Sequence, residues 1–162
     1  MIDSAISAML LENKEHFLIP ASQVATVQED NSLMHAFLVL NKVRYSRIPV
    51  LRGDDELVGM LSMPMITNEM LGMEQLDTDV LDKKCVRDVM DTHVPAVDNP
   101  YNVEEVLHLL VDNPFLPVVA DHNEFTGIVT RKEWMKSFNF LVHNIDRQYT
   151  LTPIERTAHA TH

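Results

Sequence analysis

The stretch Phe125–Thr126–Gly127–Ile128–Val129–Thr130–Arg131–Lys132–Glu133 runs from an apolar strand into a hydroxyl, two cations and a carboxylate. Thr130 suits a helix N-cap. Glu133, three positions on, has the spacing to close a capping box, so the pattern predicts a helix beginning at Arg131. The unpaired N–H groups of such a helix start favour an anion, and Arg131 and Lys132 add charge at the same place. Taken alone, the same residues are better described as a capped surface helix with two solvated cations.

A second, degenerate copy gives the segment its weight. Leu57–Val58–Gly59–Met60–Leu61–Ser62–Met63–Pro64–Met65 aligns with it without a gap at an offset of 68, as Pro49–Val50–Leu51 does with Pro117–Val118–Val119. Upstream, Val24–Ala25–Thr26–Val27 matches Val94–Pro95–Ala96–Val97, and Ser32–Leu33 matches Asn102–Val103, at an offset of 70. The chain has only 4 glycines, yet Gly59 and Gly127 fall at equivalent places. Internal duplication is the simplest account.

At 162 residues the chain has the size of one ordinary domain, and two units of roughly 55 to 65 residues would each be marginal alone, so two halves sharing a core is the economical arrangement. A composition 46% hydrophobic and 23% charged is globular. No apolar run approaches the roughly 20 residues that span a bilayer, and Met1–Ile2–Asp3–Ser4 lacks the basic start of a signal peptide, so a cytoplasmic protein without membrane contact is expected. Cys85 stands alone, which excludes an intramolecular disulfide. A net charge of −11 argues against a protein that coats nucleic acid, but a small anion needs only a local pocket.

In chain order, the apolar stripe of Ile6, Met9, Leu10 and Leu11 predicts a helix over Ile2 to Glu15, so residues 1–16 form an N-terminal helix. The first repeat, 17–72, reads as a short strand at Gln23–Val27, a helix capped by Ser32, two strands at Ile48–Leu51 and Leu57–Leu61, and a helix from Ile66 to Leu71. Residues 73–84 are a polar, acidic connector. The second repeat, 85–144, has a strand at Val94–Val97, a helix opened by the capping box of Asn102 and Glu105, a second hairpin, and a helix from Arg131 to about Asn144. Residues 145–162 are expected to be a mobile tail. Each repeat is β-α-β-β-α, an α+β pair whose open sheet faces can bury each other.

The doubled order of elements, with Tyr45–Ser46–Arg47–Ile48–Pro49–Val50 before a hairpin and Gly127–Ile128–Val129–Thr130 before a charged helix start, resembles a tandem cystathionine-β-synthase (CBS) domain pair over about residues 17–142. The resemblance implies two clefts related by a pseudo-twofold axis. One would combine Gln23, Val24, Ala25, Val27, Tyr45, Ser46, Arg47 and Pro49 with Thr130, Arg131, Lys132 and Glu133. There the backbone of Val24 and Ala25 would read an adenine edge, Tyr45 would pack on a ring, and Arg47, Arg131 and Lys132 would neutralise phosphate. The other would combine His93, Pro95, Phe115 and Leu116 with Ser62, Met63, Pro64 and Met65, and without cations it is expected to stay empty or bind weakly.

CBS modules that hold AMP, ADP or ATP usually carry Asp where this chain has Glu133, which weakens the ribose-binding carboxylate. Three cations with a weakened ribose contact suit a cyclic dinucleotide. In size, N-terminal helix and basic pair the chain is similar to the stand-alone CBS proteins of Gram-positive bacteria that bind cyclic di-AMP. The resemblance implies a non-enzymatic, homodimeric sensor without cofactor, signalling to a partner such as an alarmone synthetase/hydrolase, with AMP, ADP or ATP sensing as the alternative. Catalysis or metal binding finds no motif: the eight His are scattered, and only His159–Ala160–Thr161–His162 is close-set. Of the ten Met, Met60, Met63, Met65, Met70 and Met73 cluster in and after the degenerate copy, and they read as core filling, with a partner surface as the alternative.

Overall fold

Two three-stranded sheets, one built wholly from the first repeat and one from two strands of the second repeat and the leading strand of the first, organise the computed structural model, which describes residues 1–154. Helix α1 (Ser4–Leu10) is capped by Asp3, whose Oδ1 accepts from the Ala5 N–H at 2.8 Å. It ends earlier than the apolar stripe predicts, and a single 3-10 turn follows at Lys14–His16. The polar run from Glu12 to His16 gives a helix nothing to bury. Phe17 then turns inward and stacks on Trp134, with ring centroids 4.4 Å apart.

In the first repeat, β1 (Leu18–Pro20) leads through a turn to β2 (Val27–Gln28), α2 (Leu33–Val43), β3 (Arg47–Arg52), β4 (Glu56–Ser62) and α3 (Met63–Met70). The connector is less open than its acidity predicts. It contains α4 (Val80–Lys83), because Leu81 finds a place, 2% exposed, in the first repeat's core. The second repeat has α5 (Val103–Leu110), β5 (Phe115–Val119), β6 (Phe125–Thr130) and α6 (Arg131–Gln148). Its expected strand at Val94–Val97 shrinks to one parallel bridge between Val97 and Val118, since Pro95 has no N–H to give a ladder. Helix α6 outruns the expected end at Asn144 because Ile145 continues the stripe of Trp134, Phe138 and Leu141 into the core. The close-set His159 and His162 lie outside the described residues.

The duplication is legible in irregularities as well as elements. Both hairpins slip register at the same point, between Val50 and Leu51 and between Val118 and Val119. Each repeat buries its own core, and a third cluster of Val24, Leu51, Leu57, Phe125 and Ile128 is shared between them. The hairpin tips also bond to each other, the Phe125 N–H to the Asp55 carbonyl at 2.8 Å and Asn123 Nδ2 to the Leu57 carbonyl at 2.7 Å.

The repeats exchange their leading segments. β1, which opens the first repeat, pairs antiparallel with β6 of the second, Ile19 opposite Ile128 and Pro20 opposite Gly127. Asp91, at the start of the second repeat, pairs with Met60 of β4 through two hydrogen bonds of 2.9 Å. The two equivalent glycines make room for this crossing. A Cβ on Gly127 would lie 2.1 Å from the Ile19 carbonyl oxygen, and one on Gly59 would lie 2.7 Å from Met90 Sδ and 3.0 Å from the Asp91 carbonyl.

Gly127→Ala therefore destabilises the whole protein by about 3 kcal/mol, a loss of roughly 6–12 °C in Tm, because backbone rather than a flexible side chain must move. Gly59→Ala costs less, since Met90 can swing away; thermal melts of the two variants check the order. A second test concerns the Arg52 fork, whose Nε and Nη2 donate to the two Glu29 carboxylate oxygens at 2.7 and 3.2 Å. This holds the Glu29 carboxyl below its ordinary value of 4.5. A depressed folded value means the contribution is present at neutral pH and is lost as acid takes the group through that range. Stability measured from pH 6 down to pH 3 falls less steeply in Glu29→Gln than in the natural chain.

Candidate functional site

Sequence places the walls of one cleft. The β1 segment, crossing to the far sheet, brings Ile19, Gln23 and Val24 against β6. The loops before β3 and β5 add residues from both repeats. The resulting cleft, about 320 Å³, is lined by Ile19, Gln23, Val24, Tyr45, Ser46, Pro49, Pro114, Phe115, Ile128 and Thr130. Its walls are apolar, and its polar groups are few: the amide of Gln23 and the hydroxyls of Tyr45, Ser46 and Thr130. Such a slot suits a flat aromatic group oriented by one or two hydrogen bonds.

Six of the twelve predicted residues thus line one cavity: Gln23, Val24, Tyr45, Ser46, Pro49 and Thr130. The other six do not line it. Val27 is 2% exposed and pairs with Val50, and Ala25 packs on the first repeat's core. Arg47 opens β3 beside Ser46, and Lys132 is exposed two residues past Thr130; neither makes a side-chain hydrogen bond or ion pair among the described residues.

Thr130 caps α6 as predicted, accepting from the Glu133 N–H at 3.2 Å. The box does not close, because the Glu133 carboxylate accepts instead from Lys136 Nζ at 2.7 Å. It faces a separate hollow with Asn13, His16 and Lys136. The same half-formed box recurs at α5, where Asn102 Oδ1 accepts from the Glu105 N–H at 3.4 Å while its Nδ2 donates to the Glu105 carboxylate.

Arg131 calls for a correction. Its guanidinium turns away from the cleft and donates to the carbonyls of Leu110 and Val111, at 2.7 and 3.0 Å, closing the C-terminus of α5. The reason lies in the helix ends. Helix α2 finishes with Arg44 in the left-handed region, φ 58°, whose own N–H returns to the Leu40 carbonyl. Helix α5 has no such turn: Pro114 lacks an N–H, and Asn113 reaches back only to Leu109. A cation satisfies the remaining carbonyls and complements the negative end of the helix dipole.

Several of the residues assigned to the second cleft are engaged elsewhere. Phe115 lines the first cleft, Leu116 is fully buried in the second core, Met63 and Met65 pack on the first core, and the His93 side chain is in solvent. Ile19, Pro114, Phe115 and Ile128 are the lining residues that motif reading missed. One signal was available: Pro114 stands at the repeat position of Ser46, so a twofold axis brings both pre-strand loops to the same place.

The CBS domain family matches this chain twice, over residues 15–72 and 86–139. The chain belongs to that family. It is 33% identical over 147 residues to cyclic di-AMP receptor B of Bacillus subtilis, covering 91% of this chain and 100% of the relative. The CbpB protein of Listeria monocytogenes, crystallised in complex with cyclic di-AMP, is 44% identical and superposes with a TM-score of 0.73 over 78% of this chain and 94% of that one. CbpB from Streptococcus agalactiae is 31% identical, with a TM-score of 0.81 over 94% and 96% of the two chains. The tandem CBS pair that the sequence resembles is thus the fold. Among the described residues, no helix is long and apolar enough to cross a membrane, and no group of His, Cys, Asp or Glu is gathered as a metal ion would require.

The placement of Arg131 carries its own prediction. Arg131→Ala leaves the last carbonyls of α5 without protein donors and lowers stability by about 1–2 kcal/mol, a few degrees in Tm. Arg131→Lys recovers only part of this, since one ammonium cannot reproduce a fork across two carbonyls. Thermal melts compared with Lys132→Ala, which leaves Tm unchanged, check it.

Proposed function

We propose that this chain is a non-enzymatic receptor for cyclic di-AMP, which it takes into the cleft between its two CBS repeats, and that a homodimer of it passes occupancy to a partner protein. The observation that carries this reading is the 33% identity over 147 residues, 91% of this chain, with a cyclic di-AMP receptor. The geometry supports it. At about 320 Å³ the cleft lies at the low end of small-ligand sites and has room for one nucleoside half of the dinucleotide. An adenine there is flanked by Tyr45 and Phe115 and meets the Gln23 amide and the Thr130 hydroxyl. The phosphates then lie at the mouth, where Arg47 and Lys132, neither of which pairs with another side chain among the described residues, supply the charge. Arg131 serves the fold instead. Because the ribose 3′ oxygens of a cyclic dinucleotide are esterified, the turning away of Glu133 costs it less than it costs a mononucleotide. A receptor without catalytic groups acts only if its bound and free forms differ in their affinity for another molecule.

Isothermal titration calorimetry with cyclic di-AMP, AMP, ADP and ATP tests the reading. One cyclic di-AMP binds per chain, with affinity that falls as salt rises. Arg47→Ala and Lys132→Ala each weaken it roughly tenfold without altering Tm. Preference for AMP over the cyclic dinucleotide, or two equivalent sites per chain, overturns the assignment.

A further inference from the structure

The two repeats part company after their second helices. Where α6 continues to Gln148, α3 stops at Met70 and the chain folds into a tight turn, with Leu71 bridged to Leu76. The turn is ordered by its own backbone: the Gly72 N–H donates to the Gln75 carbonyl at 3.0 Å and the Asp77 N–H to the Met70 carbonyl at 2.8 Å. Any side chain at position 72 would meet the Gln75 oxygen at 2.8 Å. A built turn therefore holds three large apolar side chains in water, with Leu71 64%, Met73 104% and Leu76 62% exposed. Scattered exposed apolar residues need no explanation, but three within six residues on a fixed turn form a patch.

We infer that this turn is a docking tip for a different protein, one that presents an apolar pocket rimmed by lysine or arginine. Charge decides the occupant. Glu74, Asp77, Asp79 and Asp82 flank the apolar side chains, and no cation occurs between Leu71 and Lys83. A second copy of this chain would bring the same carboxylates, on a net charge of −11, against one another. A basic rim gains from every one of them, while Met73, unbranched and adaptable, fills the pocket. The inference rests on the reading of the chain as a receptor that signals through a protein, but it uses a surface apart from the cleft.

The test places a photo-crosslinking amino acid at position 73 of the full chain and, as a control, at Val142, an exposed apolar residue of α6. After irradiation in the native cell, the adduct is identified, the partner is purified, and its binding is measured with the natural chain and with Met73→Ser and Leu76→Ser at low and high salt. An adduct at 73 absent at 142, binding that weakens with salt, and a 10- to 100-fold loss in Met73→Ser are expected. Both variants keep the natural Tm and cyclic di-AMP titration, which separates this claim from the one about the cleft: a failed titration sinks the receptor reading and leaves the tip standing. No adduct, an adduct with a second copy of this chain, or a partner whose affinity ignores both substitutions overturns the tip.

Discussion

Everything in this structure depends on two backbones that approach too closely for a side chain to stand between them. At Gly127 the carbonyl of Ile19 occupies the space of a Cβ, and at Gly59 the Met90 side chain and, less tightly, the Asp91 carbonyl crowd the same place. Those contacts let β1 join the second repeat's sheet and let Asp91 bridge to β4 of the first. Once β1 lies on β6, Ile19 and Val24 face Ile128, and the shared core and the cleft follow as consequences of one crossing. The cleft is a seam between the repeats, so its shape reports how they sit on each other.

The repeats are alike where geometry is strict and unlike where helices end. Matching register slips, matching glycines and hydroxyl caps at Ser62 and Thr130 belong to the strict part. Helix termini are looser, because any donor that reaches the last carbonyls will serve. One repeat uses a left-handed residue at Arg44; the other uses the guanidinium of Arg131. A cation beside a helix start is therefore an ambiguous sign: the same residue can hold a ligand or close a neighbouring helix.

That ambiguity explains how far the sequence could be read. The duplication was plain, because Gly59 and Gly127, Pro49 and Pro117, and the two caps keep their spacing. The fold followed from it. Within the site, residues fixed by local backbone were legible, Gln23, Val24, Tyr45, Ser46, Pro49 and Thr130 among them. Long charged side chains were not, since the direction of Arg131 depends on α5 ending at Leu110, 21 residues upstream, just before a Pro114 that cannot donate. Glu133 misled for a similar reason: Lys136, one turn on, outcompeted the backbone it was expected to reach. The exchange of leading segments leaves no periodic signature, and only its glycines hinted at it.

The exchange also makes the connector a kinetic element. Met90 and Asp91 could complete the sheet of any neighbouring copy as readily as their own, because the exposed edge of β4 is the same in every molecule. What favours the correct partner is tethering: a short segment that folds back through α4 holds the strand near its own β4 at an effective concentration on the order of millimolar, above that of other copies in dilute solution. Intramolecular closure is thus a matter of leash length: doubling the connector between Met70 and Cys85 would cost only about 0.6 kcal/mol, whereas cutting it too short to fold back would leave Met90 and Asp91 to bridge a neighbour's β4 and favour interlocked dimers.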